Sequence, residues 1–514
     1  MRFKKVIALN PPSPPNYVSN KDSMSGFGQL FPKGSTYFPT LDLVYLVSFL
    51  ADKGVDLDVV ECLGLELDKA TLLQRIEKQY RAIDPSQPVL LIARTSAPTL
   101  DWDITILNEI KQRAPLLRIA LYGPVVPHVL SRVQRENVLD YIMGAEPDLT
   151  VEELVEGKPE DSIAGLSYKQ DGRWITNTGR PLLRELDRLP MPKWELFPYR
   201  KYTLPRSSTR EDIRFLPMWT SRGCPINCTY CPYPVGQGTA WRYRSAGNVV
   251  DEIEHLVKDL DVRYIIFRDP MFSLLQKRVI ALCDEIVRRG LKVEWRCETR
   301  LDFLKEETLQ AMARAGCTGI NFGIESSDVE IQKGVGRRPI EKEEIVKAVA
   351  LCHRLGIKTF GFFIVGLPGD TVTTVLNSIK FALDIKLNWV QFTAASPFIG
   401  TKLRDWGIER GLVVDSEYAY VNCHDALMGN ENLTKERVRS LLHLAQFFQN
   451  YLINRKGILK DDGRRDPGYR VAKWAADLTC DIIAHALFVF ASLRYRKNLQ
   501  QIPTAAKTSH VTLR

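Results

Sequence analysis

No stretch of this 514-residue chain approaches the ~18 consecutive apolar residues that a membrane-spanning helix needs. The first 15 residues carry charge, but their apolar stretch runs only over 6–9, too short for the core of a secretory signal. A cytoplasmic protein is therefore expected. Arginine-rich tracts, internal repeats and low-complexity segments are also missing. Lys and Arg number 70 against 61 Asp and Glu, a net charge of +9 that is scattered along the chain. Nucleic-acid binders concentrate such charge in a patch or stripe, so no nucleic-acid partner is expected. The remaining composition, 45% hydrophobic and 25% charged, is that of folded globular chains. At roughly 100–200 residues per domain, about three domains are expected.

In a chain that is not exported, the 10 cysteines are expected as thiols or metal ligands, not disulfides. Seven stand alone: Cys62, Cys283, Cys297, Cys317, Cys352, Cys423 and Cys480. Each reads as a small buried hydrophobe. The other three, Cys224, Cys228 and Cys231, fall within eight residues and need a different explanation.

The chain alternates short apolar runs with amphipathic segments. Over residues 1–150 the runs are 5–10, 57–61, 89–94, 118–122 and 141–143, with helical patterns over 41–53, 69–83 and 102–113. That alternation predicts an α/β, doubly wound (Rossmann-like) parallel sheet, whose ligands sit at the carboxyl ends of the strands. Those ends carry Asn10, Thr95, Ser96, Gly123, Gly144 and Glu146, small or polar residues that let a large ligand approach the backbone. Plain turns would use the same residue types. Residues 151–212 read as a connector, with a hairpin turning at Asp171-Gly172 and a Pro- and Trp-rich passage over 189–198. Residues 213–405 alternate again. Strands are expected at 215–221, 264–268, 293–297, 319–323, 358–365 and 389–394, and helices at 246–259, 277–289, 305–314, 341–355 and 371–385. Six successive strand–helix units predict a partial parallel barrel. Residues 406–514 are helical in pattern. One amphipathic helix is expected at 434–455 and a more apolar one at 469–496, around Phe488. The second helix suits packing on the barrel, or a membrane surface. The tail after Gln501 is expected to be disordered.

The three clustered cysteines, Cys224-Pro-Ile-Asn-Cys228-Thr-Tyr-Cys231, directly follow the first barrel strand. Soft thiolates suit an iron–sulfur cluster or zinc. A structural zinc site wants a fourth ligand, and the nearest histidine, His255, falls inside an expected helix. A four-iron cubane held by three cysteines keeps one iron open.

With Tyr230 before its last cysteine, this C-x3-C-x2-C motif resembles the signature of radical S-adenosylmethionine enzymes. The resemblance implies that Cys224, Cys228 and Cys231 hold a [4Fe–4S] cluster and that S-adenosylmethionine chelates its open iron. An external donor such as flavodoxin or ferredoxin would supply the electron that generates a 5′-deoxyadenosyl radical. It further implies that Tyr230 lies beside adenine, that Asp269 and Arg300 meet the methionyl end, that Glu325 reaches the ribose or amino group, and that Gly366 lies in a stretch packing adenine. The doubly wound domain, hairpin and Leu-Pro-x-Pro-x-Trp passage extend the resemblance to cobalamin-binding members of that family, over roughly residues 5–400. There the strand-end residues Asn10, Thr95, Ser96, Gly123, Gly144 and Glu146 would line the cobalamin site.

One departure stands out. The D-x-H-x-x-G motif that supplies an axial histidine is absent, and His128 is the only histidine before residue 200. A base-off cobalamin without a histidine ligand is implied, or a domain that kept the fold and lost the cofactor. The expectation is a cobalamin-dependent radical methyltransferase acting on an unactivated carbon of a small molecule. Cyclisation or ring rearrangement by the same cofactors is the alternative, and a non-catalytic iron–sulfur or corrinoid carrier a third.

Overall fold

A computed structural model describes residues 1–33, 35–81, 87–205, 212–414 and 423–450. The expected helix at 469–496 and the tail after Gln501 lie outside the described residues.

Strand β1 (Lys5–Asn10) is followed by a hairpin of β2 (Tyr17–Asn20) and β3 (Gln29–Pro32), and then by β4 (Asp56–Glu61), β5 (Val89–Arg94), β6 (Arg118–Tyr122) and β7 (Tyr141–Met143). β8 (Leu166–Gln170) and β9 (Arg173–Thr176) complete a seven-stranded sheet in the order β4-β1-β5-β6-β7-β8-β9. β4 through β7 are parallel. The central strand β5 is buried at every position, as a strand covered on both faces must be. The helices Leu41–Asp52, Lys69–Arg81 and Leu100–Arg113 stand where hydrophobic periodicity expects them, to within a turn. The hairpin β8–β9 departs from expectation: it joins this sheet antiparallel to β7 and does not stand apart in a connector. β7 has only three residues, and an open edge on so short a strand would expose unpaired amides. The β2–β3 hairpin was not anticipated, because residues 11–40 lack regular alternation.

Strand order reverses between β1 and β5, the topological switch point where such sheets bind ligands. Here it is filled from within. Lys21 donates to the Arg94 carbonyl (2.8 Å) and to Asp103 (2.9 Å), with both side chains fully buried. Asp103 also accepts from Thr95 and Thr99. Burial pushes the Lys21 ammonium down and the Asp103 carboxyl up, each opposed by its partner.

The second sheet begins with β10 (Thr203–Pro205), antiparallel to β11 (Asp212–Met218). A small ladder of β12 (Ser221–Arg222) and β13 (Arg242–Tyr243) flanks the cysteine loop. Then come β14 (Tyr264–Phe267), β15 (Glu294–Thr299), β16 (Cys317–Glu325), β17 (Lys358–Val365) and β18 (Trp389–Ala394). The order is β10-β11-β14-β15-β16-β17-β18, so six parallel strands form the expected open barrel. Helix Lys402–Glu409 crosses the expected boundary at 405, and helix Lys435–Phe448 packs on β17 and β18. Among the described residues no helix is long and apolar enough to cross a membrane.

The two sheets share one core. Tyr45, from the first domain, stacks on Trp219 at the end of β11, with ring centroids 5.5 Å apart and 9° between planes. The Arg222 guanidinium lies 4.4 Å over Trp219. Below them Arg244 pairs with Glu252 at 2.5 Å, both buried.

Removing one partner of a buried pair leaves an uncompensated charge. Asp103→Ala is therefore expected to destabilise the first domain by roughly 3–5 kcal/mol, measured by denaturant unfolding. A loss below about 1 kcal/mol would show that the pair is solvated, not buried.

Candidate functional site

The site begins at the end of β11. Asp269, just past β14, accepts from the Thr220 amide (2.7 Å), the Thr220 hydroxyl and the Ser221 hydroxyl (2.8 Å). This fixes where the chain turns into the cysteine loop. Gly223 follows at φ +84, where a Cβ would lie 2.2 Å from the Ala240 carbonyl oxygen; only glycine fits. The Cys224 amide donates to Gly238, the Thr229 amide to Val335, and the Leu403 amide to the Thr229 carbonyl. Three separate elements thus hold the loop that carries the thiols.

Cys224, Cys228 and Cys231 share one cleft of about 150 Å³ with Tyr230, Tyr233, Glu298, Arg300, Asn321, Glu325 and Arg337. Burial pushes the Cys224 thiol up to about 11 and raises those of Cys228 and Cys231. Among the described residues, no three His, Cys, Asp or Glu side chains converge as a single ion's ligands would. A four-iron cluster makes no such demand, since each thiolate takes a different iron.

Arg337 organises the opposite wall. Its guanidinium donates to the Tyr230 hydroxyl (2.8 Å), to Glu325 (2.9 Å) and to the Gly323 carbonyl (2.9 Å). Glu325 sits at φ +64, at a register shift in β16, and its carboxylate lies where a Cβ on Gly323 would stand, 2.0 Å away. Burial raises the Glu325 carboxyl, against the pull of Arg337. Three buried polar atoms of residues lining this cleft have no partner: Arg300 Nη1, Asn321 Oδ1 and Arg337 Nε. Buried groups of this kind are nearly always satisfied. Donors and an acceptor left unpaired around a small cleft fit a ligand bearing both a carboxylate and an amino group, as the methionyl end of S-adenosylmethionine does.

Of the residues expected around S-adenosylmethionine, Tyr230, Arg300 and Glu325 line the thiol cleft. Two residues do not. Asp269 is buried behind the loop, bonded as described, and does not line the cleft; it anchors the loop instead. Gly366 is also elsewhere. Its φ of +89 and the 2.7 Å that a Cβ there would leave to Val438 make it a turn beneath helix Lys435–Phe448. Arg337, Asn321 and Glu298 were not anticipated. Asn321 had a signal, a polar residue inside an apolar strand, whereas Arg337 comes from a turn with no periodicity to betray it.

A second cleft, about 440 Å³, opens at the ends of β6 and β7. Gly144 and Glu146 line it with Ala145, Gly165, Gly179, Gly236 and Gly238. At Gly144 a Cβ would lie 3.0 Å from Pro127. Such a small-residue cradle lets the backbone approach a broad ligand and fits a corrin better than a compact substrate. Glu146 is held by Arg242 through two bonds of 2.8 and 2.7 Å. The other expected residues face inward. Asn10 bonds Thr40 and Glu61, Thr95 and Ser96 belong to the Asp103 network, and Gly123 packs against the Thr95 carbonyl. His128 packs near Phe27 and does not line the cleft.

Residues 219–382 match the Radical SAM superfamily model. The chain is 32% identical over 399 residues to the anaerobic magnesium-protoporphyrin IX monomethyl ester cyclase of Rubrivivax gelatinosus, covering 74% of this chain and 67% of that protein. It is 29% identical over 429 residues to an uncharacterised methyltransferase of Pyrococcus horikoshii, covering 82% and 90%. The solved structure of the cobalamin-dependent S-adenosylmethionine radical enzyme OxsB, with aqua-cobalamin and S-adenosylmethionine bound, shares the fold at a TM-score of 0.68. That match spans 94% of this chain and 71% of that one, at 15% identity. The chain belongs to the radical S-adenosylmethionine superfamily. Like the cobalamin-dependent enzyme OxsB, it sets a doubly wound domain ahead of the radical barrel.

Arg337→Met is expected to weaken S-adenosylmethionine binding at least about tenfold, ~1.4 kcal/mol, with iron and sulfide content retained. Asp269→Asn is expected to do the reverse, lowering cluster content while any cluster-loaded fraction keeps its affinity. Equilibrium dialysis beside iron analysis distinguishes the two. An Asp269 variant that keeps its cluster and loses the ligand would move Asp269 back into the binding set.

Proposed function

We propose that this protein is a cobalamin-dependent radical S-adenosylmethionine methyltransferase that acts on an unactivated carbon of a small molecule. One observation carries the proposal. The short helix Tyr233–Gln237 belongs to both clefts: Tyr233 lines the one with the thiols, and Val235 and Gly236 line the one beneath the first sheet. Two reactive groups brought to one junction gain the rate advantage of proximity. When bound, the cluster supplies the electron that cleaves S-adenosylmethionine, and cobalamin supplies a cobalt that carries the methyl group.

The residues of this chain bind and orient. Cys224, Cys228 and Cys231 would hold the cluster. Arg300, Asn321, Glu325 and Arg337 would receive the polar end of S-adenosylmethionine, with Tyr230 beside the ring system. Gly144, Glu146 and Gly236 would border cobalamin. An acidic one-electron carrier such as flavodoxin or ferredoxin is the proposed reductant, and the cytoplasm, where thiols stay reduced, the proposed location. The relatedness to the uncharacterised methyltransferase, which spans most of both chains, favours methyl transfer over ring formation.

Anaerobically purified protein reconstituted with iron, sulfide and hydroxocobalamin is expected to show both cofactors in its absorption spectrum. A Cys224→Ala/Cys228→Ala/Cys231→Ala variant should retain only the cobalamin. During turnover, methyl transfer requires S-adenosylhomocysteine and 5′-deoxyadenosine in equal amounts. 5′-Deoxyadenosine without S-adenosylhomocysteine would point to cyclisation, and a parent protein that binds no cobalamin would end the methyltransferase assignment.

A further inference from the structure

Residues 20–28 connect β2 to β3 and reach from one domain into the other. Two consecutive side chains of this loop point in opposite directions. Lys21 runs into the first domain and joins Asp103 at the switch point. Asp22 runs into the barrel and accepts from Arg268 Nε at 2.9 Å. Arg268, at the end of β14, donates with Nη1 to Glu298 at 2.9 Å, and Glu298 lines the thiol cleft. The loop is stiffened locally. The Asn20 side-chain oxygen accepts from the amides of both Asp22 and Ser23 at 3.1 Å, and the Ser23 hydroxyl donates to Gln29.

One guanidinium is thus shared between two carboxylates that belong to different domains. Asp22 and Arg268 are mostly buried, at 7% and 14% side-chain exposure, and Glu298 is more open at 24%. A cation that arrives in the cleft competes with Arg268 for Glu298, the more accessible carboxylate. Relieved of part of that interaction, the guanidinium bonds Asp22 more strongly and the loop tightens on the barrel. S-adenosylmethionine carries a sulfonium and an ammonium group against one carboxylate, so it is such a cation.

The same loop meets the second cleft through Ser25, whose hydroxyl lies 2.6 Å from where a Cβ on Gly236, a residue lining that cleft, would stand. We propose that the Asp22–Arg268–Glu298 chain couples the two clefts, so that S-adenosylmethionine bound among the thiols orders the 20–28 loop and favours cobalamin in the first domain. Arg268 is a positioning residue in this scheme, acting through Glu298 on one side and Asp22 on the other. The inference rests on the two-cofactor reading above. Coupling of this kind is reciprocal: each ligand changes the other's affinity by the same factor.

The test uses cluster-loaded full-length protein, S-adenosylmethionine and hydroxocobalamin, with no substrate. In the parent, hydroxocobalamin is expected to tighten S-adenosylmethionine binding by about fivefold or more. S-adenosylmethionine alone should slow hydrogen exchange in the 20–28 amides. In Asp22→Asn, S-adenosylmethionine affinity measured without hydroxocobalamin should stay within about twofold of the parent, while the linkage and the exchange protection both disappear. Arg268→Lys, which keeps the charge but cannot bridge both carboxylates with a planar fork, should behave the same way and serves if the first variant folds poorly. A purely structural role would lower affinities and leave the linkage factor intact, and that result overturns the proposal. A parent that binds no cobalamin defeats the two-cofactor reading alone, because the exchange measurement still decides the coupling: protection in the parent that is lost in Asp22→Asn supports it, and protection unchanged in the variant refutes it.

Discussion

Everything proposed for this molecule depends on two strand-end edges being held against each other. Parallel sheets place their working loops at the carboxyl ends of their strands. Two such sheets cooperate only if those ends are locked face to face. The lock is the buried contact around Trp219: Tyr45 stacked on its ring, Arg222 across it, and Arg244 with Glu252 beneath. Aromatic stacking supplies area and orientation. Arg244 donates to the Tyr45 hydroxyl at 3.3 Å and that hydroxyl donates to Glu252 at 3.4 Å, so sliding of the first domain would break directional contacts to a buried ion pair of the barrel. A shift of either domain would therefore be opposed before it reached the clefts.

The same economy governs the cysteine loop. Its course is determined by groups that never touch a cofactor. Asp269 fixes its start, Gly223 permits a turn that no other residue could make, and the Val335 carbonyl and the Leu403 amide close it from outside. On the far wall, Arg337 satisfies three acceptors at once and leaves its own Nε unpaired. Rigid positioning of the thiols and unsatisfied polarity opposite them are complementary demands of one ligand that bridges a metal centre and a polar wall.

Much of the architecture was legible in the sequence. Strands such as 5–10, 89–94 and 358–365 are continuous apolar or alternating runs bounded by turn residues, so their positions follow from burial alone. The three cysteines were legible because few chemistries need that spacing. The β2–β3 hairpin was not, since residues 11–40 carry no regular alternation from which two four-residue strands could be read. Asp269 and Gly366 were misplaced for a related reason. A strand-end acid or glycine reads the same whether it faces a ligand or the protein behind it, and only packing separates the two. Asn10 illustrates the point, because the hydrogen bonds that turn it inward run to Thr40 and Glu61, 30 and 51 positions away.

The central claim is that both cofactors occupy adjoining clefts at one junction. Electron paramagnetic resonance of the protein loaded with cob(II)alamin, recorded with the cluster oxidised and then reduced, tests it most directly. Two nearby paramagnets interact, so the cobalt spectrum is expected to broaden or split when the cluster is reduced, and to stay unchanged in the cysteine-free variant. A cob(II)alamin spectrum indifferent to cluster reduction, in protein shown to carry both, would place the two cofactors apart and contradict the account.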